Sequence, residues 1–296
     1  MSQGPTRKPG AIALITRIEN SPYPVTRRLL WTLVRPRYPW HVYKYKAIDP
    51  SIPKTIGHIR DLIVDSNLYL SSPSDFNDPF DMTAKILHEG SMEDRLQRYQ
   101  QMITDHAKDK NWKERRRMRT QFMTRSQADM AQVAKAAHTK TMQAAGVFSF
   151  AGDPRSIMMW SHYAKEHTGI CLQFEIARDP RTMLSAIPVD YTNQYPIHNW
   201  IKNSTEELKR VLLAKFKAWE YEGERRIVIA YGARTKIPFL PQALVSVIFG
   251  VRATDNIITA VRELVVERIQ RGLPPIRFYR ATKHDSSYKL RIVSMT

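Results

Sequence analysis

Three short segments of this chain gather side chains that can do chemistry. The first is Trp219-Glu220-Tyr221-Glu222-Gly223-Glu224-Arg225-Arg226, in which three carboxylates alternate and lead straight into the apolar run Ile227-Val228-Ile229. A carboxylate held at the mouth of a strand can stabilise positive charge that develops in a reaction, and Gly223 permits an unusual backbone turn just before Glu224. The competing reading is a solvated ion network in which Glu222 and Glu224 pair with Arg225, Arg226 or Lys217. The second segment is Trp160-Ser161-His162-Tyr163-Ala164, followed by His167. His162 can act as acid or base because imidazole titrates near neutrality, and Tyr163 can stack on a flat ligand. Taken singly, each of these residues fits a core aromatic or a hydrogen-bonded histidine, so only the group is informative. The third segment is Phe76-Asn77-Asp78-Pro79-Phe80-Asp81, two carboxylates and an amide between aromatic rings expected to anchor the loop on the core. Its alternative is an Asx-type turn in which Asn77 and Asp78 bond their own backbone before Pro79.

Other chemistries have less to draw on. His162 and His167 are five apart rather than four and the single cysteine, Cys171, is isolated, so no zinc spacing is present and no metal is expected. The 11 glycines form neither the G-x-G-x-x-G nor the G-x-x-x-x-G-K phosphate loop. Asp78, Asp81, Glu222 and Glu224 could hold Mg²⁺ in a nuclease, but the E-x-K companion common in such sites is missing.

The chain's 296 residues carry a formal charge of +18, and 43% of them are hydrophobic. That composition excludes a disordered tail and predicts a globular protein attracted to polyanions, chiefly nucleic acid or an anionic membrane surface. Within the basic run 108–119, Arg115, Arg116 and Arg117 are candidates for phosphate contacts and Trp112 for stacking on an exposed base, against the alternative of a solvated helical face. One cysteine fits a reducing cytoplasm. The apolar run 11–15 is too short for a signal-peptide core, and no stretch approaches the roughly 20 apolar residues of a membrane span.

The elements that must position these residues follow from periodicity. Residues 1–40, rich in Pro and Arg, read as a basic arm, and residues 41–296 as one α+β domain. Its expected centre is a mixed or antiparallel sheet with strands near 42–45, 67–70, 147–150, 169–176, 225–230, 243–249, 277–281 and 290–293. Helices are expected over 55–64 with Thr55 as cap, 158–165, 208–219, and 255–269 with Asp255 as cap. Residues 91–145 contain neither Pro nor Gly, and predict a helical insertion, about 89–145, of two charged helices with Leu96, Met102 and Ile103 on one inner face.

The segments 43–45 (Y-K-Y), 76–81 (F-N-D-P-F-D), 159–174 (M-W-S-H-Y-A-x-x-H-x-G-x-C-L-x-F) and 219–226 (W-x-Y-E-x-E-x-R) together resemble a bacterial family catalogued as a domain of unknown function. At the level of fold, the order of a Tyr-rich strand, a helix, a short strand with serines, a later Tyr segment and a Glu heading an apolar strand is similar to ADP-ribosyltransferases, including those that modify DNA. That resemblance implies NAD as substrate, nucleic acid or a nucleic-acid-associated target as partner, and a toxin or phage-defence role. It implies Glu224 as catalytic carboxylate, Glu222 as first member of an E-x-E pair, Tyr163 as the ring stacked on nicotinamide, and His162 beside them. Tyr43, Lys44, Tyr45, Asn77, Asp78 and Trp160 would then bind the cofactor. Such an enzyme needs Tyr43, Asn77, His162, Tyr163 and Glu224 in one cleft, whereas a basic binding protein does not.

Overall fold

A computed structural model describes residues 39–295. The expected basic arm, apart from its last two residues, lies outside the described residues. In chain order the elements are β1 (His41–Lys46), α1 (Pro53–Ile63), β2 (Asn67–Tyr69), β3 (Lys85–Leu87), α2 (Met92–His106), α3 (Trp112–Thr124), α4 (Gln127–Ala144), β4 (Gly146–Phe150), α5 (Ile157–Tyr163) and β5 (Ile170–Glu175). There follow α6 (Pro180–Met183), β6 (Ile187–Pro188), β7 (Asp190–Thr192), β8 (Ile197–Asn199), α7 (Thr205–Leu213), β9 (Ala214–Phe216), β10 (Arg225–Ile229), β11 (Lys236–Pro238), β12 (Leu244–Phe249), α8 (Asp255–Gln270), β13 (Arg277–Lys283) and β14 (Leu290–Ser294).

The fold is α+β, built on a mixed five-stranded sheet in the order β1-β5-β12-β13-β14. Only β12 and β13 run parallel, and α8 makes the crossover that parallel neighbours require. A second, antiparallel sheet has the order β4-β10-β6. The two sheets meet where Tyr43 of β1 exchanges backbone hydrogen bonds with Ala151, just past β4, at 3.0 and 2.7 Å.

Between the sheets lies one core. Phe148 and Phe150 of β4, Phe174 of β5 and Phe239 pack edge to face with ring centroids 4.8 to 5.4 Å apart, the arrangement that aromatic quadrupoles favour. Ile170, Leu172 and Phe174 alternate toward this core, while Cys171 turns to a smaller cluster with Tyr45, Trp160 and Ile248 on the other face. Because β5 is covered on both faces, its sequence is apolar almost throughout.

Several expectations need correction. The stretch 91–145 forms three helices, not two. Ser91 with Asp94 and Asn111 with Glu114 make reciprocal capping boxes, and Ser126 caps α4 by accepting from Asp129 N. These caps divide the run where no Pro or Gly does. Leu96 is exposed rather than on an inner face, and the insertion's own cluster forms around Tyr99, Met130, Ala134, Trp200 and Ile201. The helix α1 starts at Pro53, whose missing N–H suits the first turn. Thr55 Oγ1 instead donates to the carbonyls of Asp49 and Ile52. Thr254, not Asp255, precedes α8. The expected helix 208–219 stops at Leu213, after which β9 pairs in parallel with β7 and a 3-10 turn spans Lys217–Glu222. Among the described residues no helix is long and apolar enough to cross a membrane.

Two glycines test this packing. A Cβ on Gly250 would stand 2.0 Å from the carbonyl oxygen of His167, whereas one on Gly57, exposed in α1, would meet nothing within 4 Å. Gly250→Ala is expected to destabilise by at least about 1–3 kcal/mol through overpacking. Gly57→Ala is expected to stabilise by about 0.5–1 kcal/mol through helix propensity. Urea unfolding of both variants measures the difference, and equal midpoints would contradict it.

Candidate active site

Glu222, Glu224 and Arg226 are two residues apart, the period at which extended chain presents side chains to one side. All three are buried. Gly223 takes a left-handed φ of 52° between the carboxylates, and Gly152 N donates to Glu222 O at 2.9 Å. A side chain on Gly223 would be strained at that φ, although its Cβ would meet the backbone of Gly152 only at ordinary contact distance.

The carboxylates converge on Lys215 from β9. Its Nζ lies 2.5 Å from Glu222 Oε2, 2.9 Å from Glu224 Oε2 and 3.7 Å from Asp81 Oδ2. Arg226 completes the cluster: Nε donates to Glu224 Oε1 at 2.7 Å, Nη2 to both Asp81 oxygens at 2.8 and 2.7 Å, and Nη1 to the Leu212 carbonyl at 3.0 Å. Burial works against the charge of Glu224, but Arg226 and Lys215 outweigh it and hold its carboxyl far below the usual range. Burial raises the carboxyls of Glu222 and Asp81 despite their cationic partners. Lys215 stays above its ordinary value, because Glu224, Glu222 and Asp81 together overcome its own burial. The two glutamates therefore differ: Arg226 and Lys215 hold Glu224 as an anion, while burial raises the carboxyl of Glu222.

Above the cluster opens a cleft of about 380 Å³. Tyr163 reaches into it and donates its hydroxyl to Glu222 Oε1 at 2.7 Å. Lys44 Nζ donates to Ser149 O at 2.7 Å and lies 4.5 Å from the centre of the Phe148 ring. Burial, helped by nearby Lys46, pushes Lys44 down to about 7. Behind Tyr163, Lys165, Glu166 and His167 are three successive non-glycine residues with positive φ, a conformation costing about 1–3 kcal/mol apiece. His167 N bonded to Trp160 O and Gly169 N bonded to Ala164 O hold that turn and fix the end of α5.

Of the residues proposed from sequence, Tyr43, Lys44, Tyr45, Asn77, His162, Tyr163, Glu222 and Glu224 line this one cleft. Others do not. Trp160 is wholly buried in the core, its Nε1 donating to Pro154 O at 2.8 Å, so it is not available to a cofactor. Tyr45, although it borders the cleft, is nearly as buried and spends its hydroxyl on Asp153 O. Asp78 accepts from Phe80 N at 2.9 Å in the Asx-type turn and faces a neighbouring groove, apart from the other three carboxylates. Phe80 is exposed and anchors nothing; Asp81 is the member of that hexad buried in the cluster. The ion network is buried rather than solvated and is centred on Lys215, not Lys217. Among the described residues, no group of three or more His, Cys, Asp or Glu is placed to hold a metal ion. In the insertion, Trp112, Arg116 and Arg117 are exposed, but Arg115 donates to the carbonyls of Ala107, Lys108 and Lys110 and ties α2 to α3.

Lys215 is the residue that sequence reasoning missed, because a run readable as one amphipathic helix hides a strand. Tyr191, whose hydroxyl accepts from Glu224 N at 2.8 Å, carried no signal either.

Residues 159–227 match the family model "Protein of unknown function (DUF2971)". The matched segment runs from within α5 into β10 and contains His162, Tyr163, Lys215, Glu222, Glu224 and Arg226. It takes in the motifs 159–174 and 219–226 on which the family resemblance rests, while 43–45 and 76–81 lie outside it. No curated protein and no solved structure matches the chain.

Lys44 carries a pH signature. Its folded value of about 7 lies below the ordinary 10.5, so between those limits the unfolded chain binds a proton that the folded chain does not. Stability attributable to Lys44 must therefore rise with pH across that window and be lowest below pH 7. Lys46 shifts the same way, so the variant isolates the Lys44 share. Lys44→Met is expected to flatten the gain in melting temperature between pH 6.5 and 9.5; identical profiles for both proteins would exclude the assignment.

Proposed function

We propose that the protein is an ADP-ribosyltransferase-like enzyme that uses NAD as donor and modifies nucleic acid or a nucleic-acid-associated target. The observation that carries this reading is the cluster beneath the cleft, where three carboxylates, Asp81, Glu222 and Glu224, meet two cations, Lys215 and Arg226. With all five ionised and Lys44 of the same cleft neutral, one negative charge is in excess. That excess complements the positive charge that forms on the ribose as nicotinamide departs, and in a buried site it acts more strongly than in water.

In this reaction the bond from ribose C1′ to the pyridinium nitrogen breaks, and its electron pair stays with the nitrogen, leaving neutral nicotinamide. A lone pair of the acceptor forms the new bond to C1′, and the acceptor's proton passes to a base. Glu222 is the carboxylate assigned to the ribose. Each of its oxygens has a second lone pair beyond those accepting from Tyr163 and Lys215. Glu224, locked by Arg226 and Lys215, holds Lys215 in place, so the weight that the sequence puts on Glu224 moves to Glu222. His162, exposed and lining the cleft, is the base assigned to the acceptor's proton.

Exposure of Trp112, Arg116 and Arg117 supports a nucleic-acid target, and also supports a second reading, a basic binding protein without NAD chemistry. Labelled NAD separates the two. Wild-type protein mixed with DNA, RNA or lysate is expected to release nicotinamide and transfer label. Glu222→Gln is expected to lower both by about 10²–10³-fold, the scale of losing one preorganised electrostatic contact. It is also expected to lower the melting temperature because Lys215 loses a buried counter-ion, so the assay is run at a temperature where circular dichroism shows the variant folded. Absence of nicotinamide release from wild type under every condition leaves only the binding protein, and Mg²⁺-dependent strand cutting marks a nuclease.

Arg116→Ala with Arg117→Ala, leaving the structural Arg115 in place, is expected to reduce the slope of log affinity against log salt by about 1–2. A slope equal to that of wild type removes this face as the phosphate contact.

A further inference from the structure

Beside the carboxylate cleft lies a larger groove of about 740 Å³, a volume typical of small-molecule sites. Asn77 and Lys215 line both, so the two share a wall. The groove is aromatic: Phe80, Tyr195 and Phe216 are 64%, 48% and 52% exposed, and Trp219 is partly buried among its lining residues. Exposed rings gathered at one concave place are a surface that a flat apolar face would cover favourably.

The charges of the lining narrow what that face belongs to. Among the described residues Lys215 is the sole cation there, and it is already engaged by Glu222 and Glu224. Asp78 is the sole carboxylate, and its Oδ1 accepts from Phe80 N. Such a lining attracts no phosphate. It suits a neutral ring with a polar edge, for which the side-chain amides of Asn77, Asn193 and Gln194 can both donate and accept. The chain's formal charge of +18 draws in the polyanion that carries such rings.

We propose that this groove seats one unstacked nucleobase of a single-stranded nucleic acid, its face against the aromatic rings and its edge against the amides. A base within a duplex has both faces covered by its neighbours, so the groove selects single strands or a base turned out of the stack. Whether the seated base is also the acceptor rests on the transferase reading; its binding does not.

Anisotropy of a labelled single-stranded oligonucleotide, with the matching duplex in parallel, tests the groove. Phe216→Ala and Tyr195→Ala are each expected to weaken single-strand binding about 10-fold, the scale of losing one base-stacking partner. The pair should weaken it further, while duplex binding is unchanged. Phe216→Tyr, which keeps a ring, should bind as wild type does, and this separates stacking from damage to the fold. Unchanged single-strand affinity in the double variant overturns the proposal, as does equal loss in Phe216→Ala and Phe216→Tyr. Nicotinamide release measured on the same proteins keeps the two readings apart. Ring-dependent binding without NAD cleavage leaves the groove and removes the transferase, while NAD cleavage with ring-independent binding does the reverse. Label carried to a lysate protein as fast by the double variant as by wild type assigns the acceptor to protein, and overturns the groove as the acceptor's seat.

Discussion

The ammonium of Lys215, buried among Glu222, Glu224 and Asp81, sets the terms for everything around it. Charges taken out of water lose solvation that only close, well-directed partners restore, and a cluster left one partner short holds an uncompensated charge in a low-dielectric interior. Arg226 supplies the remaining partner by binding Glu224 and Asp81 together. The five residues come from the loop before β3, from β9, from the 3-10 turn and from the approach to β10 and its start. Segments far apart in the chain are thus obliged to meet at one point.

That obligation accounts for several local irregularities. The chain runs as β9 where helix could continue, because Lys215 must face the carboxylates and Asp190–Thr192 offers a parallel partner. Gly223 turns left-handed because two glutamates on either side of it are needed in one cluster. The three strained residues 165–167 end α5 abruptly, leaving Tyr163 aimed at Glu222. Strain of this kind persists only where the surroundings over-determine it. The same buried setting reaches Lys44, which lies in the cleft with its charge weakly supported.

The two cavities share a wall made by Asn77 and Lys215 and differ in what lines them. The smaller is charged at its base; the larger is aromatic, and among the described residues its one cation and one carboxylate are already bonded within the chain.

Much of this was legible from residue order. The strand His41–Lys46 shows in its alternation, and Cys171 shows as a small hydrophobe inside a strand that is apolar on both faces. The spacing of two in Glu222, Glu224 and Arg226 marks side chains that share a side. The capping boxes at Ser91 and Asn111 are also written in the sequence, although a search for Pro and Gly passes over them. What the order of residues could not determine is which partner each polar group finds. Asp78 and Asp81 stand three apart in one turn-rich hexad, yet one closes its own turn and the other crosses 145 positions to Arg226. Trp160 and Tyr163 sit three apart on α5, yet one fills the core and the other faces the cleft. Local propensity is decided within a few residues, whereas burial and ion pairing are decided by whatever the folded chain brings alongside, and a buried charge outweighs a fraction of a kcal/mol of helix preference.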